Sequence, residues 1–125
     1  MSLSKDLNHI EAWLRSSLKE LGAPLQVRKE GENGIEVAGT KRVMQGKQEV
    51  DGFYFASTVR KPKDIRLYFF PIYTDPDLYE LSEGLKKMLK GKSCFHIKQL
   101  DDDLKAELRD MLERGKKRYE EKGHI

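Results

Sequence analysis

The sequence predicts a single α+β domain: an antiparallel five-strand sheet with helices packed on one face, in the order α-β-β-β-β-α-β-α. Three observations carry this. Residues 4–21 and the stretch from 101 onward repeat apolar side chains at helical spacing. Between them, seven of the ten Phe and Tyr residues fall in residues 52–60 and 64–73, and runs rich in aromatic and β-branched residues read as strands. The predicted strands are separated by only a few residues, which suits an antiparallel meander rather than crossovers. At 125 residues the chain is expected to be one domain, 1–125, long enough to bury roughly two thirds of its unfolded surface.

Taken in order, Leu7, Ile10, Trp13, Leu14, Leu18 and Leu21 form one apolar stripe, so the first helix is predicted over 4–21. Ser4 reads as its N-cap, and Gly22 followed by Pro24 ends it. Residues 25–29 alternate apolar and polar and predict a short strand, turned at 30–34 by two glycines. A second strand is predicted over 35–43, with Gly39 marking a bulge. Residues 44–48 form a tight connection around Gly46. The third and fourth strands, 49–59 and 64–73, are parted by Lys61, Pro62 and Lys63, because proline fixes φ and cannot donate to a ladder.

Strand 64–73 carries apolar residues on both sides: Leu67, Phe69 and Pro71 point one way and Tyr68, Phe70 and Ile72 the other. Such a strand is covered on both faces or lines a cleft. Thr74, Asp75, Pro76 and Asp77 then start a second helix that runs to near Gly91, with Leu78, Leu81, Leu85, Met88 and Leu89 as its buried stripe. Gly84 within it is expected to permit close packing. Residues 92–98 predict a fifth strand, with Phe95 and Ile97 inward and Cys94 and His96 on the opposite face. Asp101, Asp102 and Asp103 open a third helix where its dipole favours carboxylates. Its packed face is Leu104, Leu108, Met111, Leu112, Gly115 and Tyr119, and the last residues to Ile125 are expected to fray.

The hydrophobic fraction is 38%, the charged fraction 36% and the net charge +3. Periodic apolar residues and low net charge exclude disorder. No apolar run approaches the ~20 residues that span a bilayer, so no membrane association is expected. The first residues lack the apolar core of a signal peptide, and the expectation is a cytoplasmic protein. Cys94 is the only cysteine, which excludes an internal disulfide and a cysteine-rich zinc site. Basic and acidic residues are interleaved, which argues against nucleic acid as the principal partner.

Four groups of residues invite a chemical reading. Cys94 and His96 share a strand face, and a thiolate beside an imidazole is a nucleophile. Same-face neighbours on one strand lie ~6–7 Å apart, however, too far for a direct hydrogen bond. Together with Tyr54, Tyr68 and Phe70 they make a candidate ligand face. Asp103, Glu107 and Asp110 fall at i, i+4 and i+7, a stripe on which a hard cation such as ferrous iron could sit weakly. The bland alternative is a solvated face, with Asp110 paired to Arg114. Arg60, Lys61, Lys63 and Arg66 cluster at the 61–63 turn beside aromatic residues, a combination that binds single-stranded nucleic acid, although lysines at a strand edge also simply oppose aggregation. No phosphate loop, nucleophile elbow or dinucleotide fingerprint is present.

The second half resembles the YdhG-like bacterial domain of unknown function. The stretches that carry the likeness are Arg60-Lys61-Pro62-Lys63-Asp64-Ile65-Arg66-Leu67-Tyr68, then Pro71 and Tyr79-Glu80-Leu81, and above all Gly91-Lys92-Ser93-Cys94-Phe95-His96-Ile97-Lys98-Gln99-Leu100. The acidic start and leucines of residues 102–112 are similar to the segment that follows in that family. The resemblance implies a frataxin-like α+β sheet and, by the label some relatives carry, an iron-chaperone role; it implies no catalytic residues.

The chain is therefore expected to be no enzyme but a binding domain for a small ligand, a metal ion or a protein partner, with a homodimer as one way to cover the second sheet face. Weak iron binding on the acidic stripe and nucleic-acid binding at the basic turn are the alternatives.

Overall fold

The computed structural model describes residues 4–125; Met1, Ser2 and Leu3, on which the signal-peptide expectation partly rests, lie outside the described residues. Helix α1 is Leu7–Glu20, one turn shorter at its start than the periodicity suggests. Asp6, not Ser4, caps it, by accepting from the Asn8 amide at 2.9 Å. Ser4 instead exchanges backbone hydrogen bonds with Leu100. Ile10, Leu14 and Leu18 are buried on the predicted stripe, each contributing roughly 1.5–3 kcal/mol of transfer free energy before entropy is counted. Gly22, at φ +67°, ends the helix as expected.

Strands β1 (Leu25–Gly31), β2 (Gly34–Gly39), β5 (Tyr54–Arg60), β6 (Ile65–Phe69), β7 (Leu89–Lys90) and β8 (Cys94–Ile97) form one sheet in the order β1-β2-β5-β6-β8-β7. Every pairing is antiparallel. The sheet thus has six strands rather than five; the additional one is the two-residue β7 on its edge. Ile35, Val37, Phe55, Ala56, Ile65, Leu67, Phe69, Phe95 and Ile97 are buried on one side, beneath α1 and the long C-terminal helix α4 (Asp102–Lys122).

Two expected strands are each cut in two. The 35–43 strand stops at Gly39 and the 49–59 strand restarts at Tyr54; between them β3 (Arg42–Gln45) and β4 (Gln48–Asp51) make a separate hairpin. The break has a steric cause. Gly52 adopts φ +109°, and a Cβ there would lie 2.2 Å from the Gly39 carbonyl oxygen. Gly52 therefore lets the chain return to the sheet beside Gly39, where it left, while β2 and β5 pair directly, Val37 opposite Ala56. The ladder shifts register at Val37/Ala38, next to the predicted bulge.

The largest departure is between Phe70 and Leu89. Strand β6 ends at Phe69, and a short helix α2 (Phe70–Thr74) follows with Pro71 in its first turn. The predicted helix from 74 to 91 is instead a 3₁₀ turn (Pro76–Leu78), an extended link, and helix α3 (Glu83–Met88), capped by Ser82. Phe70 and Ile72 thus do not line an outer sheet face, and β6 is apolar on one side only. Helix α4 is capped by Asp101, which accepts from the Leu104 amide at 2.8 Å, and its packed face is the predicted one. The tail does not fray: His124 stacks on Phe53 with ring centroids 3.9 Å apart. Among the described residues no helix is long and apolar enough to cross a membrane.

Candidate functional site

The helix-free side of the sheet assembles most of the predicted ligand face. Strand register sets Ser57, Tyr68 and Cys94 in one cross-strand row and Val59, Arg66 and His96 in the next. Tyr54 joins them through a 2.5 Å hydrogen bond between its hydroxyl and Ser57 Oγ. Phe70 stands at the border, its ring centroid 5.8 Å from that of Tyr54. Asp64, almost fully buried, sits 3.3 Å from Arg66 Nε and 3.7 Å from His96 Nδ1. Arg28 and Glu36 pair across β1 and β2 at 2.7 Å. The face is therefore tiled by polar cross-links between half-buried side chains rather than left as an apolar surface.

Its electrostatics favour resting, protonated groups. Burial pushes the Cys94 thiol up, against smaller opposing effects of the Tyr68 hydroxyl and Arg66. That is the reverse of what activates a cysteine nucleophile. Burial likewise raises the Tyr54 hydroxyl, only partly offset by its bond to Ser57.

The basic turn splits. Arg60 Nη1 donates to Asn8 Oδ1 at 2.6 Å and lies 3.7 Å from Glu11, fastening the turn to α1. Arg66 faces Asp64, whereas Lys61 and Lys63 are exposed. The acidic stripe splits too. Both oxygens of Glu107 are engaged by Ser82, through its amide at 2.7 Å and its hydroxyl at 2.6 Å. Asp110 accepts from Arg114 at 2.8 Å, and Asp103 stands exposed. Among the described residues no group of three or more His, Cys, Asp and Glu side chains could hold a metal ion.

A different site emerges from the segment whose structure departs most from the predicted helix. Between α2, the 79–82 link and the turn joining β7 to β8 lies a cavity of about 670 Å³. Ile72, Tyr79, Leu81 and Leu89 supply its apolar wall, and Lys86 and Lys92 also line it. Lys92 Nζ lies 5.7 Å from the ring centroid of Tyr73, the second aromatic residue of the lining. On the other side of Tyr79 and Leu81 is a second hollow of about 360 Å³ lined by Asp77, Glu80, Glu107, Asp110 and Arg114. Tyr79 spans both, its ring edge-on to Phe69 at 5.6 Å and its buried hydroxyl without a protein partner. Burial drives that hydroxyl strongly upward, so it is a neutral donor across the working pH range.

No protein-family model matches the chain, and no curated protein or solved structure does so.

Asp64 and the cavity residues escape a reading of the sequence for different reasons. Asp64 reads as a strand-start residue, and only the β6–β8 register brings His96 beside it. The cavity depends on Ser82 starting a new helix where the spacing of Leu78 and Leu81 predicts the middle of one. The signal was Ser82 with Glu83 in the first turn, a capping pattern inside an apparently continuous stripe.

Proposed function

We propose that this chain is a non-enzymatic binding domain whose ligand is a small molecule with an apolar body, held in the cavity bounded by Ile72, Tyr79, Leu81 and Leu89. The observation that carries the reading is the cavity itself: about 670 Å³, walled by aliphatic and aromatic side chains. That volume falls within the ~300–1,000 Å³ usual for small-molecule sites, which are mostly apolar with few polar groups. A binding rather than catalytic role is supported by the raised Cys94 thiol and by the polar cross-links that occupy Tyr54, Arg66 and Asp64. The iron reading has less support, because Glu107 and Asp110 already serve Ser82 and Arg114. The nucleic-acid reading loses Arg60 and Arg66 to Asn8 and Asp64. The YdhG-like resemblance falls on β6 and β8, which pair directly, and we take it as a likeness of scaffold.

The test is a titration with neutral aryl fragments followed by amide chemical shifts. Shifts should concentrate between Ile72 and Leu89 and vanish in Leu89→Trp or Leu81→Trp, each checked for an unchanged far-ultraviolet spectrum. Shifts centred instead on Tyr68 and His96 would move the site to the sheet face. Turnover of any substrate that is lost in His96→Ala would overturn the non-enzymatic reading.

A further inference from the structure

Charge is segregated across the wall formed by Tyr79 and Leu81. The hollow on one side carries Asp77, Glu80, Glu107 and Asp110 against a single arginine. The larger apolar cavity on the other side has no acidic residue in its lining and two lysines, Lys86 and Lys92. Lys92 has no carboxylate within ion-pairing distance among the described residues; its ammonium lies 5.7 Å from the centroid of the Tyr73 ring. Lys86 reaches Glu83 only at 4.0 Å, between side chains that are 63% and 84% exposed, a pair that solvent largely screens. Both lysines are thus positioned to donate to an incoming anion without breaking a strong internal bond.

An apolar wall beside two uncommitted cations selects for an amphipathic anion. The apolar part gains by leaving water, and the charged end gains only if it is negative. Building on the cavity-binding reading, we propose that the occupant is a small free monocarboxylic acid. Its aryl or alkyl body would lie against Ile72, Leu81 and Leu89, and its carboxylate would be held by Lys86 and Lys92. A cationic analogue meets the same two ammonium groups as a repulsion. A diacid would set its second carboxylate in the apolar interior or toward the acidic hollow, both of which cost free energy.

A matched series separates the two readings. The intact chain is titrated with 4-phenylbutyrate, 4-phenylbutanol, 4-phenylbutylammonium and acetate, and binding is followed by amide shifts of residues 72–92. The acid should bind at least about tenfold more tightly than the alcohol, or ~1.4 kcal/mol. The amine should bind more weakly than the alcohol, and acetate should produce no saturable shift. The preference for the acid should shrink with added salt and disappear in Lys86→Gln/Lys92→Gln, a variant checked for an unchanged far-ultraviolet spectrum. Equal binding of acid and alcohol, or a preference for the amine, would overturn the carboxylate assignment and leave the cavity reading standing. No localised shift with any of the four would overturn both.

Discussion

Gly115 of α4 lies against the ring of Phe69 on β6: a Cβ on Gly115 would come within 2.6 Å of Phe69 Cζ and 3.1 Å of Pro71 Cγ. Phe69 is fully buried and packed edge-on against Phe55, so it has nowhere to yield. Gly115→Ala therefore forces α4 off the sheet. The cost of overpacking is about 1–3 kcal/mol, partly offset by the ~1 kcal/mol that alanine gains over glycine in a helix. A net loss in urea unfolding is expected, and a net gain would show that α4 shifts freely.

Gly84 gives the opposite prediction. It lies in the first turn of α3, and a Cβ there meets Leu104 at 3.6 Å, an ordinary contact. The close packing expected of it is not what the residue provides. Gly84→Ala should raise stability by about 0.4–1 kcal/mol through helix propensity and a less flexible unfolded chain. A lower midpoint in the same unfolding experiment would mean that the α3–α4 contact is tighter than this spacing.

The two glycines illustrate what the sequence could and could not convey. Helices α1 and α4 were legible because each carries a long apolar stripe, and the placement of Gly115 on the packed face followed from that period. The inward and outward residues of β8 were legible from alternation alone: Phe95 and Ile97 are buried, Cys94 and His96 half-buried. Between Phe70 and Leu89 the local signals compete. The aromatic run past Phe69 prolongs the strand pattern, yet Pro71 opens a helical turn. Leu78, Leu81 and Leu85 keep helical spacing although only Leu85 lies in an α-helix, Leu78 ending the 3₁₀ turn and Leu81 lying in the extended link. The cavity is bounded by residues from this stretch together with β7 and the turn after it, so no single periodicity could have revealed it.

Glu107, a metal-ligand candidate by its helical spacing, is engaged as a brace. Its carboxylate accepts from the Ser82 amide and hydroxyl, and Ser82 Oγ in turn accepts from the Leu85 amide at 3.2 Å. The chain of bonds polarises in one direction and fixes the start of α3. Glu107→Ala should cost about 1 kcal/mol, and Glu107→Gln, which keeps one acceptor, less. The loss should be the same with and without added ferrous or magnesium ions. Stability that rises on adding either ion to the wild type but not to Glu107→Ala would restore the metal reading.

Cys94 should behave as a slow thiol. It is half-buried between Tyr68 and Lys90 in the ladder, and burial holds it in the protonated form at neutral pH. Since the thiolate is the reacting species, its rate with an aromatic disulfide reagent should fall below that of a free cysteine at pH 7 and climb steeply above pH 9. Tyr68→Phe removes an opposing hydroxyl and should slow it further. A rate at pH 7 above that of free cysteine would contradict both the burial and the binding-domain reading.

His124 supplies a pH dependence with a defined sign. Its ring stacks on Phe53 at 3.9 Å and meets Tyr119 edge-on at 5.2 Å. Burial holds the imidazole below its free value of 6.5; Lys122, Arg118 and Lys41 act the same way and Asp75 the other. Because the folded value lies below the unfolded one, the unfolded chain binds more protons between them. The contribution of His124 is therefore complete above about pH 6.5 and is lost as pH falls from that value through the folded one. Asp75 has the opposite geometry of charge. Burial would raise it, but hydrogen bonds from Lys122 and Thr74 outweigh that and hold it below 3.8, so its stabilisation is lost only in more acidic solution. Between pH 7 and 5 the two effects separate. Wild type should lose stability over this interval relative to His124→Phe, which keeps an aromatic ring on Phe53 but cannot take up a proton. Parallel stability curves, or an imidazole titration midpoint at or above 6.5 for His124, would mean that the ring is not held against Phe53 in solution.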